Sequence, residues 1–147
     1  RTTEWAQEVM SGKQQRRTIG VLGTNGGGLL QAEKSLIATD ETGFPAVARF
    51  LENMPEGATG EVILEAAEGQ DCQYPIPDRA GFDMRWLSRR KGQSLKDETL
   101  KTLPRHNDAK LWFAGAREDA RIVRAPAKSL GRAASDLRIS GFWRAPE

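Results

Sequence analysis

The chain has 147 residues, 38% of them hydrophobic, with 22 Lys and Arg against 20 Asp and Glu for a net charge of +2. That length suits one domain with a buried core, and the balanced charge argues against a nucleic-acid partner, which selects a clustered basic stripe. A single cysteine, Cys72, excludes an internal disulfide and points to a reducing compartment, while no apolar run nears the roughly 18 residues of a membrane span and no signal peptide is evident.

In chain order, "TTEWAQEVMS" (residues 2–11) predicts a short helix stopped by Gly12, and "RRTIGVLGTNGGG" a strand near Thr18–Leu22 followed by a glycine-rich turn. "NGGG" is no dinucleotide fingerprint, because Gln31 stands where the third glycine should be. A strand over Ser35–Ala38 then leads to a helix over Phe44–Asn53, with Phe44, Val47, Ala48, Leu51 and Met54 on one face and Pro45 in its first turn. "EVILEAA" has the apolar centre, Val62–Leu64, of a strand buried on both faces. A polar loop over 68–81 precedes a third strand in "FDMRWLSR". A helix follows over Ser94–Thr102, then a fourth strand in "KLWFAG", a helix in "AREDARIVRAPAKSLG" that Pro126 should kink or interrupt, and a last strand in "LRISGFW". The alternation from residue 35 onward predicts an α/β fold: an open, mainly parallel five-stranded sheet with helices on both faces.

In such sheets ligands bind at the carboxyl ends of the strands, where strand order reverses. Two junctions have that character: Asp40-Glu41-Thr42-Gly43 and Ala114-Gly115-Ala116. Each offers backbone N–H groups at a helix start to an anion; equally, Thr42 serves as an N-cap and Gly43 and Gly115 as turn residues. "LSRRKG" puts Ser88, Arg89, Arg90 and Lys91 straight after a strand, a hydroxyl and guanidinium set that suits a phosphate monoester, or else a solvated basic loop. His106 has no second ligand nearby in sequence and reads as a surface loop residue; Cys72 lacks an activating neighbour. The ending "SGFWRAPE" brings Phe142, Trp143 and Arg144 together, either to flank a flat cofactor or to close the core.

"DETGFPAVARFLENMPEGATGEVILE" resembles the D-E-T-x-x-P-A-I-x-R-x-L-E-x-x-P stretch of siderophore-interacting proteins. "MRWLSR", "WFAG" and "GFWR" resemble that family's V-x-W-L-x-R, W-x-A-G-E and G-Y-W-R segments, in the same order. The resemblance spans about residues 4 to 144. It implies a cytoplasmic flavoenzyme with a ferredoxin reductase-like NADP-binding domain. In that family hydride passes from NADPH (or NADH) to FAD, a ferric siderophore is reduced, and Fe(II) is released. Residues 1–34 would be the end of the FAD barrel and a linker, and 35–147 the NAD(P)H-binding domain. The chain begins with Arg1 rather than Met and lacks the barrel's R-x-Y-[ST] signature, so it reads as an excised piece, inactive alone.

By the same resemblance, Asp40, Glu41 and Thr42 would face the nicotinamide and pyrophosphate, Gly115 would belong to the second cofactor loop, and Trp143 would lie in the terminal motif near the flavin edge. Ser88 and Arg89, helped by Arg90 and Lys91, would hold the 2′-phosphate, and Arg144 would meet the anionic ferric siderophore. Iron would be substrate, with no protein metal site and no catalytic acid or base. Ala116 stands where the family has Glu. That departure gives weight to one alternative, a binding module without reductase activity; a flavin reductase with another acceptor is a separate alternative.

Overall fold

The computed structural model describes residues 31–144. The helix expected over 2–11 and the strand over Thr18–Leu22 lie outside the described residues. Among the described residues five strands and three α-helices follow in the order β1 (Lys34–Asp40), α1 (Phe44–Asn53), β2 (Thr59–Ala66), β3 (Phe82–Ser88), α2 (Leu95–Thr102), β4 (Lys110–Ala116), α3 (Arg117–Ser129) and β5 (Leu137–Trp143). The sheet order is β3-β2-β1-β4-β5, and every pairing is parallel. Each strand therefore delivers its carboxyl end to one rim. The order reverses between β1 and β4, which makes their carboxyl ends the topological switch point.

The central strands are apolar because both their faces are covered. On one face Ile37, Val62, Leu64, Trp112 and Ala114 pack against Phe44, Val47, Phe50 and Leu51 of α1 and Met54 just after it. On the other, Leu36, Ala38, Ile63, Leu111 and Phe113 pack against Leu95 of α2 and Ala120, Val123 and Ala127 of α3. The α1 face differs from the periodic expectation in one position. Phe50 is buried where Ala48 was expected, because its ring meets Trp112 edge-on at 5.1 Å. Phe44, 1% exposed, likewise meets Trp86 of β3 edge-on at 5.5 Å.

Helix ends are satisfied by side chains from distant sequence. The loop before β3 supplies Arg79, which donates to the carbonyls of Leu51 (3.1 Å) and Met54 (2.7 Å) at the end of α1. Pro126 does not interrupt the helix: α3 runs to Ser129. Pro126 falls in the exposed last turn, where a single lost N–H bond is tolerated, and the apolar stripe Ala120-Val123-Ala127 still docks on the sheet.

His106 is not an isolated surface residue. Its Nε2 lies 2.9 Å from Glu61 Oε2 near the amino end of β2. The other Glu61 oxygen accepts from Arg85 Nη2 at 2.9 Å, and Arg85 also donates to Glu98 (3.1 Å) and Thr102 (2.9 Å) of α2. This network fastens α2 to the edge of the sheet, on the opposite end from the switch point.

Candidate functional site at the carboxyl rim

Asp40 ends β1 at the switch point and is 3% exposed. It, rather than Thr42, is the cap: Oδ1 accepts from the Thr42 backbone N–H at 2.9 Å and from the Thr42 hydroxyl, closing the short turn Glu41–Gly43 that leads into α1. Its other oxygen, Oδ2, accepts from Trp143 Nε1 at 2.7 Å. β4 lies between β5 and β1, so the Trp143 side chain spans the end of β4 to reach Asp40. Two backbone features permit this. The β4–β5 register shifts by one residue, so that Gly115 pairs with Gly141 but Ala116 pairs with Trp143, and the extra residue, Phe142, re-aims the indole. Gly115 lies within β4 rather than in a turn, and a Cβ there would come within 3.3 Å of Asp40 Oδ2.

Glu41 reaches the opposite way, across the end of β2. Its carboxylate accepts both arms of the Arg89 guanidinium, Nη1 to Oε2 at 2.8 Å and Nη2 to Oε1, and Oε1 also accepts from the Ala67 N–H at 3.1 Å. Arg89 Nη1 donates as well to Glu65 Oε1 at 3.0 Å, and Glu65 Oε2 accepts from the Leu95 N–H at 2.6 Å, at the start of α2. Burial pushes the Glu41 carboxyl up. The Arg89 hydrogen bonds, two backbone N–H groups and the Arg89 charge outweigh it and hold the group below the usual carboxylate range. The Glu41 hydrogen bond, against burial and with help from Glu65, raises the Arg89 guanidinium further still.

Ser88 is 4% exposed; its hydroxyl donates to the Ala67 carbonyl at 3.0 Å and its N–H to Gln93 Oε1 at 2.8 Å. Arg90 is exposed and pairs with Glu68 at 3.2 Å. Phe142, Trp143 and Arg144 all open to solvent at the end of β5.

The structure thus brings the sequence candidates onto one rim. Asp40, Thr42, Gly115 and Trp143 form one corner; Glu41, Ser88 and Arg89 form the other, joined through the Glu41–Arg89 pair; the Arg90 backbone N–H meets the same Ala67 carbonyl as Ser88, at 3.3 Å, while its side chain turns to Glu68. Sequence reasoning missed Glu65, Ala67 and Asp119. Glu65 was signalled by an acid at the end of an apolar strand, which must find a partner when buried. Asp119, in the first turn of α3, has its carboxyl pushed up by burial, against the Lys96 charge and with the charges of Asp97 and Asp40 adding to the rise. Ala67 acts through its backbone, which no residue identity discloses. The Arg89 fork and the Ala67 N–H converge on one carboxylate, and such a donor set fits a phosphate oxygen equally well. Among the described residues no group of three or more His, Cys, Asp or Glu could hold a metal ion, and no helix is long and apolar enough to cross a membrane.

Comparison with solved structures supports the fold. The chain is similar to the siderophore-interacting protein SipS from Aeromonas hydrophila (TM-score 0.66, 21% identity, 80% of this chain and 54% of that one). It is also similar to a siderophore-interacting protein from Acinetobacter baumannii (TM-score 0.65, 19% identity, 87% and 50%). A siderophore utilization protein from T. fusca shares the fold (TM-score 0.61, 24% identity, 77% and 45%). In sequence, 97% of the chain aligns at 22% identity with the mycobactin import ATP-binding/permease protein IrtA of Mycobacterium tuberculosis, covering 17% of that protein. The chain therefore spans about half the length of these solved relatives and a smaller part of IrtA. The family model described as "Siderophore-interacting protein" matches residues 32–146, most of the chain. On that match, over a rim built at the switch point of a wholly parallel sheet, the chain belongs to the siderophore-interacting protein family.

Proposed function

We propose that the chain is the pyridine-nucleotide-binding part of a cytoplasmic, flavin-dependent ferric-siderophore reductase. In this reading the residues that precede β1 connect it to an FAD-binding barrel. The observation that carries the proposal is the bridge from Glu41 to Arg89, which ties the β1 corner and the β3 corner into one rim on one side of the molecule. A dinucleotide needs such a rim, with a flat, uncharged surface at one end and anion donors at the other.

The chain's residues divide the work. The Trp143 indole, anchored by Asp40, supplies the flat surface, and Gly115 keeps the strand end beneath it free of a side chain. Arg89, assisted by Ser88 and Arg90, serves the 2′-phosphate end. Arg144, exposed after β5, draws an anionic ferric siderophore toward the same edge. The bound nucleotide and flavin would supply hydride and electron transfer, so the protein's part is distance and orientation. Fe(III) is substrate, held by the siderophore.

The test is reduction by the intact protein loaded with FAD. NADPH should bleach the flavin absorbance, and adding ferric siderophore should restore it while Fe(II) appears in a chelator trap. Flavin that stays oxidised with NADPH and NADH alike would remove the reductase reading.

A further inference from the structure

The Glu41–Arg89 contact has the form of an occupied anion receptor. Both guanidinium arms and the Ala67 N–H point at a single carboxylate. The two acids on Arg89 are not equivalent. Glu65 has a side chain only 12% exposed and is fixed by the Leu95 N–H, whereas the Glu41 side chain is 40% exposed on a three-residue turn. Glu65 is a permanent brace; Glu41 can swing into water. A phosphate monoester has one more oxygen than a carboxylate and more charge, so it can take both arms and the backbone N–H together.

We infer that Glu41 is an intramolecular stand-in for the nucleotide's phosphate monoester, holding Arg89 and Ala67 N–H in place and competing with the ligand for them. The inference rests on the nucleotide-binding reading above and adds a control to it. The rim is self-closed without nucleotide, and affinity for a 2′-phosphate is set partly by what releasing Glu41 costs. It also reassigns Glu41 from cofactor contact to competitor. Ser88, whose hydroxyl is taken by the Ala67 carbonyl, becomes a support for the Ala67 backbone.

The experiment is calorimetric titration of the full 147-residue chain and its Glu41→Gln, Glu41→Ala and Arg89→Ala variants with NADP+, NAD+ and inorganic phosphate, each variant first checked for a cooperative thermal transition. Both Glu41 variants should bind NADP+ roughly fivefold tighter, about the strength of an exposed ion pair. NAD+ affinity should not change, and Arg89→Ala should lose the NADP+ preference. NADP+ affinity that is unchanged or weaker in the Glu41 variants, while the native chain still binds both nucleotides, overturns the stand-in role and leaves the nucleotide reading intact. A loss of NAD+ affinity in Glu41→Gln overturns it too, because Glu41 would then serve a ribose hydroxyl. Inorganic phosphate binding as tightly as NADP+ overturns the nucleotide assignment in favour of a general anion site. No binding of either nucleotide by the folded native chain overturns both readings.

Discussion

The Trp143 indole N–H donates to Asp40 Oδ2 at 2.7 Å, joining the last described strand to the central one across the end of β4. Asp40 is buried and accepts three hydrogen bonds, two from Thr42 and one from Trp143. Trp143→Phe keeps an aromatic ring but removes that donor together with part of the indole. The expected cost is about 1–2 kcal/mol, the penalty for a buried acceptor that loses a partner. Urea denaturation measures it, and an unchanged midpoint would mean that water replaces the indole without loss.

Gly43 and Gly115 both border the switch point, but they should respond differently to a methyl group. At Gly43 a Cβ would lie 2.1 Å from Thr39 Oγ1 and 2.9 Å from Trp112. Thr39 cannot yield freely, since its hydroxyl donates to the Ala114 carbonyl at 2.8 Å. Gly43→Ala should cost about 1–3 kcal/mol or more through overpacking. At Gly115 the nearest atom would be 3.3 Å away, so Gly115→Ala should be clearly milder. Melting temperatures of the two variants decide this; equal losses would contradict the packing argument.

Acid should weaken the rim in a defined window. The Glu41 carboxyl is lowered in the folded protein, so the unfolded chain binds a proton first as pH falls. Its contribution is complete above the unfolded carboxylate value of about 4.3 and is lost as pH drops through the lower folded value. Chemical denaturation across that window should show stability rising with pH, with a shallower slope in Glu41→Gln. Identical slopes would show that the pair with Arg89 does not contribute to folding.

Glu61 anchors the opposite end of the sheet. Its side chain is 15% exposed and pairs with Arg85 and His106. Glu61→Ala would leave Arg85 with Glu98 and Thr102 alone and should cost about 1–3 kcal/mol. Because α2 hangs on this network, amide exchange in α2 should accelerate more than in α1. Uniform acceleration of both helices would argue against a local role.

Much of the architecture was legible because it rests on local rules. Apolar runs such as Val62–Leu64 mark strands covered on both faces, and the spacing of Phe44, Val47, Leu51 and Met54 marks one helix face. Local rules misjudged residues whose partners are remote. His106 looked solitary because Glu61 is 45 residues away, and Pro126 looked disruptive although the α3 stripe docks regardless. Ala48 yielded its place on the buried face to Phe50 because Trp112 of β4 lies within reach.

The amino-acid sequence by itself determined the order of strands and helices, their faces, and the chemical groups that gather at the strand ends. Periodicity depends only on neighbours along the chain. Tertiary structure alone decided the partners: Asp40 with Trp143, Glu41 with Arg89, and Glu65 with Arg89 and the start of α2. Those pairings follow from the parallel sheet order and from the one-residue register shift at Gly115 and Ala116. Long-range hydrogen bonding and packing set both, and neither leaves a pattern within any single segment.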